Sequence, residues 1–409
     1  MKVAIAGYGI EGKSNYAYWN TPDNELTIVD ERTAIDDLPG DAKTLLGPGV
    51  FRQLAEFDLV VRTASLDPKK IHTNGTVTSA SNEFLERCPV SVIGVTGTKG
   101  KGTTCSLITS MLRAAGKQVH LVGNIGVPAL EVLPHIQPDD IVVYELSSFQ
   151  LWDIRHSPHV AVVLPIEPDH LDIHATLEEY VAAKANIVRY QSRDDIVIYH
   201  EHNQYSNQIG QSSMAATKLP YPRDIGQLAD ALVLPGAHNV ENASAAVLAV
   251  SEYNLDPSTL AEGLHTFDGL PHRLKLVAEK SSIRFYDDSI STTPGSSIAA
   301  LASFEEPKVI ILGGSDKGAD YESIVQECKT RDAIVVVLGK TGQKIAELCH
   351  AYDVPCHDGG TTIESVVQTA FDVASPGGVV LLSPASASFD MFKNYGDRGD
   401  KFTRAAQNL

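Results

Sequence analysis

Two lysines, three glycines and three threonines fall within eight residues: Gly97, Thr98, Lys99, Gly100, Lys101, Gly102, Thr103 and Thr104. The apolar run Val92–Val95 precedes them, and Leu107, Ile108, Met111 and Leu112 follow at helical spacing. Strand, glycine-rich turn and helix start is the arrangement in which backbone N–H groups wrap a phosphate. Lys101 would add positive charge there, and a hydroxyl just after it would hold Mg²⁺. An ordinary glycine-rich turn is the plainer alternative, but the paired lysines in this context favour phosphate.

Other residues could join that chemistry. The run Ile141–Glu145 reads as a buried strand ending in an acid, the usual second handle on Mg²⁺ in a phosphate-binding chain; a solvated strand end is the alternative. Asp169, His170, Asp172 and His174 crowd a short stretch, yet Thr176 to Glu179 reads as a capping box, which leaves both histidines in a loop. Lys184 falls on the apolar stripe of the following helix, with Leu177, Val181 and Val188. A buried lysine needs a partner or a chemical change. It could snorkel, but its alanine neighbours offer little to cover the stem. Asn239 and Asn242 share a helix face and would read a base edge or cap the helix.

The elements that must position these groups alternate between strands and helices. The chain opens Lys2-Val-Ala-Ile-Ala-Gly7 and continues through Gly9 and Gly12, with a second strand ending at Asp30. That is a dinucleotide-type fingerprint, which would also suit an NAD-dependent oxidoreductase or a Rossmann-like half binding another nucleotide. Strand-like runs recur at Ile283–Tyr286, Val309–Leu312, Ile334–Leu338 and Val379–Leu382, several ending in glycine or polar turns. The pattern from Ser192 to Gln227 is weak and polar. An α/β chain of three domains is expected: 1–89 and 270–409 Rossmann-like, 90–269 a central phosphate-loop domain with a mainly parallel sheet.

Composition narrows the class. A net charge of −18 over 409 residues argues against nucleic acid or acidic membrane as the main partner. No apolar run approaches the roughly 20 residues of a spanning helix. The sequence starts directly in a strand, and five scattered cysteines fit a reducing compartment, so a cytoplasmic protein is expected.

Taken together these stretches resemble the Mur ligase family, which builds the peptide of bacterial cell-wall precursors. The resemblance covers the whole chain in order. Gly97–Thr104 resembles the family ATP loop, Glu145-Leu-Ser-Ser-Phe-Gln150 a metal-binding string, and Asp169–Asp172 a motif whose histidine serves Mg²⁺. Tyr180–Lys184 resembles the site of a carbamylated lysine, and His238–Asn242 an adenine contact. With Gly102 after Lys101, Thr103 becomes the expected Mg²⁺ hydroxyl. Arg273 would reach the γ-phosphate, and Asp288 would join the ATP set. Ile290, Pro165 and Lys275 depart from the family's lysine, asparagine and glutamate. The C-terminal stretch Ser383–Gly399 is similar to the branch that joins D-glutamate to UDP-N-acetylmuramoyl-L-alanine.

The resemblance implies an ATP-dependent amide ligase using ATP and two Mg²⁺ ions. Lys101, His170, Lys184 and Arg273 would be catalytic, with Thr103, Glu145, His170 and a carbamylated Lys184 around the metals. Gly9, Ile10, Glu11, Asp30, Arg32 and Asn124 would hold the UDP substrate; Thr292, Lys317, Ser388, Phe389 and Tyr395 would hold the amino acid. A monomer acting on small molecules is expected. A nucleotide sensor without catalysis and a sibling ligase for another amino acid are the remaining alternatives.

Overall fold

The computed structural model describes residues 1–40, 42–316 and 318–409. Three sheets follow one another along the chain. The first contains β1 (Lys2–Ala6), β2 (Glu25–Asp30), β3 (Lys43–Leu46), β4 (Leu59–Arg62) and β5 (Thr76–Ser79), all parallel, in the order β3-β2-β1-β4-β5. The order reverses beside β1, so the carboxyl ends of β1 and β4 open a crevice.

The second sheet is also parallel throughout. It contains β6 (Val92–Thr96), β7 (Val119–Gly123), β8 (Ile141–Glu145), β9 (Val160–Val163), β10 (Ile196–His200) and β11 (Thr217–Tyr221), in the order β11-β10-β9-β6-β8-β7. Every residue of β6, β8 and β9 is buried, as the unbroken apolar runs require of strands covered on both faces. The weak stretch after Ser192 nonetheless holds β10, the helix Gln204–Ser212 and β11. β11 is an edge strand that includes Pro220, and an edge tolerates the missing N–H that would break a central strand. The first two sheets and the chain up to Ala231, with Glu241–Thr266, form one compact unit.

The other unit comprises Leu232–Val240 and Phe267–Leu409. Its sheet contains β12 (Lys275–Lys280), β13 (Ile283–Asp287), β14 (Lys308–Gly313), β15 (Ile334–Leu338), β16 (Cys356–Asp358) and β17 (Val379–Leu382), in the order β12-β13-β17-β14-β15-β16. Only β12 runs antiparallel, at the edge. Among the described residues, no helix is long and apolar enough to cross a membrane.

Candidate active site

The turn after β6 needs its glycines. Gly97 has φ +152°, and a Cβ on it would come within 2.5 Å of the Leu164 Cβ; Gly100 has φ +84°, and its Cβ would come within 2.4 Å of the Asn242 side-chain oxygen. The helix Lys101–Ala114 then starts on Lys101 and buries Leu107, Ile108, Met111 and Leu112. The Lys101 ammonium donates to the carbonyls of Gly97 (3.1 Å) and Thr98 (2.9 Å). Lys99 points outward to Glu167 at 3.4 Å. Gly102, Thr103 and Thr104 are all buried, and the Thr104 hydroxyl is directed at Asn242.

Lys184 is 1% exposed and donates 2.8 Å to the same Gly97 carbonyl that Lys101 uses. Its ammonium sits 4.6 Å above the Tyr180 ring, and the Tyr180 hydroxyl meets Thr98 at 3.1 Å. Burial, and then the neighbouring charge of Lys101, push the Lys184 amine well below the usual lysine range. The site therefore favours the uncharged form of this amine more than water does. The helix bearing it, Leu177–Arg189, begins where the capping pattern predicts: Thr176 accepts from the Glu179 N–H at 3.2 Å.

The two loop histidines part company. His170 has φ +53° and faces a cleft, its ring 5.0 Å from that of Phe149. His174 is fully buried, stacked on Phe149 at 5.2 Å and bonded to the Ser148 hydroxyl at 3.0 Å, with its pKa lowered by burial. Glu145, at the tip of β8, is 5% exposed. Among the described residues, no three His, Cys, Asp or Glu side chains form a ready metal cluster.

One cleft of about 380 Å³ gathers predicted groups of the first unit: Gly9, Ile10 and Glu11 from the first sheet's turn, and Lys101, Asn124, His170 and Lys184 from the segments around the second sheet. Asp30 and Arg32 do not line it. The Asp30 carboxylate accepts from the Tyr8 N–H (2.9 Å) and from the Arg32 backbone and guanidinium, and this pairing holds its pKa at about 2. Sequence reasoning missed Thr63, Ala64 and Ser65, which also line the cleft, and Arg62, whose guanidinium holds their turn and the Phe149 carbonyl. The available signal was a charged residue closing the apolar run of β4.

The remaining predicted residues belong to the second unit, apart from Asn242. The Asn239 amide, in the first turn of the helix Ala237–Ala249, donates back to the Pro235 carbonyl at 2.7 Å, the opposite of a cap, whose side-chain oxygen accepts from the backbone. The Nε of Arg273 is buried without a hydrogen-bond partner among the described residues. Asp288 accepts from the Ser383 hydroxyl (2.7 Å) and the Leu274 N–H (3.2 Å), and burial raises its pKa to about 6. Ser388 is buried, Thr292 half-buried, and Phe389 and Tyr395 are exposed, the former at 68%. Lys317 lies outside the described residues. The sequence did not disclose Arg398, fully buried and donating to the carbonyls of Ser289 (2.8 Å) and Ser386 (3.0 Å), which ties the turn after β13 to the turn after β17.

Comparison with known proteins accords with this arrangement. The model of the Mur ligase middle domain matches residues 95–219, and that of the Mur ligase glutamate ligase domain matches 272–386. The UDP-N-acetylmuramoylalanine–D-glutamate ligase of Acetivibrio thermocellus is 36% identical, over 100% of this chain and 96% of its own length. The enzyme of the same name from Clostridium tetani is 34% identical, over 100% and 97%. In fold, the chain resembles the UDP-N-acetylmuramate–alanine ligase MurC of Thermotoga maritima (TM-score 0.62, 17% identity, 99% and 98% covered). It also resembles the MurF ligase of Thermotoga maritima in complex with ADP (TM-score 0.58, 16% identity, 99% and 93% covered). The chain belongs to the Mur ligase family.

Proposed function

We infer that this protein is an ATP-dependent ligase that joins D-glutamate to UDP-N-acetylmuramoyl-L-alanine in peptidoglycan precursor synthesis. The observation that carries the reading is the cleft that Lys101 and Lys184, sharing the Gly97 carbonyl, line together with Glu11 and Asn124. Full-length identity to enzymes of that name supports the choice of substrates. The domains proposed for this work are 1–89 for the UDP precursor, 90–269 for ATP and 270–409 for the amino acid.

In the first step the precursor carboxylate attacks the γ-phosphorus of ATP, forming an acyl phosphate and ADP. The glutamate amine then attacks the acyl carbon and inorganic phosphate leaves. Two anions meet in the first step, so Lys101 and Arg273 would each supply compensating positive charge. Gly97 to Thr104, Asn239, Asn242 and Asp288 complete the ATP set. Gly9, Ile10, Glu11, Asp30, Arg32 and Asn124 hold the precursor; Thr292, Lys317, Ser388, Phe389 and Tyr395 hold glutamate.

Thr103 and Glu145 offer hard oxygen donors and His170 a ring nitrogen, a set that fits Mg²⁺. Mg²⁺ when bound would neutralise phosphate charge. Lys184 as a bare amine adds nothing to such a site. Its depressed pKa suits addition to CO₂, in which the amine nitrogen bonds carbon, a proton departs, and a carbamate anion results. The carbamate supplies two more oxygens and places an anion where the bare amine would offer a metal no charge. A cytoplasmic monomer with two Mg²⁺ ions completes the reading.

Oxygen-18 placed in the precursor carboxylate tests the chemistry. One labelled oxygen should appear in the released phosphate, together with a product heavier by one glutamyl residue. Unlabelled phosphate would refute the acyl-phosphate route, and NAD(H) turnover in place of ATP consumption would refute the ligase.

A further inference from the structure

Arg62 is the last residue of β4, in the first sheet, and its side chain is 0% exposed. Its Nε donates to Asp153 at 2.8 Å, and its Nη2 donates both to the other Asp153 oxygen and to the Phe149 carbonyl at 2.9 Å. Its Nη1 reaches the carbonyls of Thr63 (3.2 Å), Ala64 (3.3 Å) and Leu66 (3.3 Å). The rigid five-donor fork of a guanidinium is thus used on two segments. One is the turn after β4; the other is the segment after β8, beyond Glu145.

Both segments form the cleft wall. Thr63, Ala64, Ser65 and Phe149 line it beside Lys101 and Lys184. The turn is also held from its other side, where the Ala64 N–H donates to the Glu11 carboxylate at 2.8 Å. Asp153 is held in turn: its carbonyl accepts from the Asn82 amide at 3.1 Å, and the Asn82 oxygen accepts from the Arg155 N–H at 2.7 Å. A buried arginine is a costly way to add stability, because apolar packing does that as well or better. What it adds is geometry, since one planar group fixes two backbone segments at once.

We propose that Arg62 is a positioning residue for the nucleotide-sugar precursor, a strut that fixes the Thr63–Leu66 turn against the Phe149 segment. The proposal rests on the functional reading above only for the identity of that precursor. Two variants of the full-length enzyme test it. Arg62→Lys keeps the charge but loses the fork, and Asp153→Asn keeps the shape but loses the anchoring charge. Each should raise the KM for UDP-N-acetylmuramoyl-L-alanine about ten-fold or more, with the KM for ATP and D-glutamate within about two-fold. The calorimetric Kd for the precursor alone should rise by the same factor. A merely structural role would lower the active fraction, and hence kcat, without moving that KM or Kd. An unchanged precursor KM and Kd, or an equal rise for all three substrates, would overturn the proposal. If Arg62→Lys does not fold, Asp153→Asn carries the decision. Failure of the unmutated enzyme to join D-glutamate counts against the functional reading alone, because the Kd comparison uses no amino acid.

Discussion

Two glycine turns look into the same cleft, Gly7–Gly12 after β1 and Gly97–Thr104 after β6. Both follow a buried parallel strand, and both begin a helix. Their first helical turns differ in charge. The helix Ile10–Trp19 starts with Ile10 at 81% exposure and carries Glu11, whose carboxylate already offsets the positive end of the helix and takes the Ala64 N–H. The helix Lys101–Ala114 starts on a lysine and has no acid in its first turn. Topology makes both turns able to approach a nucleotide; the side chain at the helix start decides which one draws the reacting phosphates. On the proposed function, the first turn would recognise the precursor and the second would carry the chemistry.

The sharpest break of this contrast is Lys101→Ala. Removing the charge from the second turn should cut kcat by about 100- to 1,000-fold, while circular dichroism and Tm change little because the turn lies at the sheet end. Near-normal ligation would erase the distinction between the turns. Lys184→Ala should fall in the same range. Acetate, standing in for the missing carbamate anion, should restore part of the activity of this variant and none of the activity of Lys101→Ala; equal rescue of both would remove the case for carbamylation.

Smaller effects sharpen the comparison. Arg32→Ala, just after β2 and bonded to the Tyr8 carbonyl of the first turn, should raise the precursor KM about ten-fold and leave the ATP KM alone, the cost of one charge-assisted contact. A shift in the ATP KM instead would exchange the assigned roles. Thr103→Ala should raise the Mg²⁺ concentration needed for half-maximal rate several-fold, and Thr104→Ala less, since the Thr104 hydroxyl already faces Asn242. Equal Mg²⁺ titrations of the two variants would contradict the assignment.

The smallest effect concerns stability. Arg32 holds the Asp30 carboxyl at a pKa of about 2, below the unfolded value near 3.8. Between these values the unfolded chain takes up the proton and the folded one does not. The advantage of the parent over Asp30→Asn is therefore fully present above about pH 4 and lost as pH falls toward 2. It amounts to about 1–2 kcal/mol, since the Arg32 partner is half exposed. Denaturant titrations at pH 5 and pH 2.5 that gave the same difference would show the pair to be inert.

The legible parts of the molecule were those where one local pattern sufficed. Gly97, Gly100 and Lys101 declare a strand, a tight glycine turn and a helix start within a few residues, and the lysine on an apolar stripe at 184 declares its own burial. β10 and β11 stayed hidden because a short run beside Asp194 and Asp195, and an edge strand containing a proline, carry little periodicity. Arg62 and Asp153 stand 91 residues apart, so their pairing depends on how the first two sheets meet and leaves no trace in spacing. The same holds for His174, which looks like a ligand beside His170 until its stacking on Phe149 and Trp152 is seen.

The identity of the acceptor is tested most directly by steady-state ligation with ATP, Mg²⁺ and UDP-N-acetylmuramoyl-L-alanine across a panel of D-glutamate, L-glutamate, L-lysine, diaminopimelate and L-alanine. D-glutamate should have the highest kcat/KM by at least about 100-fold, with one ADP formed per product. Faster ligation of any other member of the panel would contradict the D-glutamate assignment and make the protein a ligase for a different step.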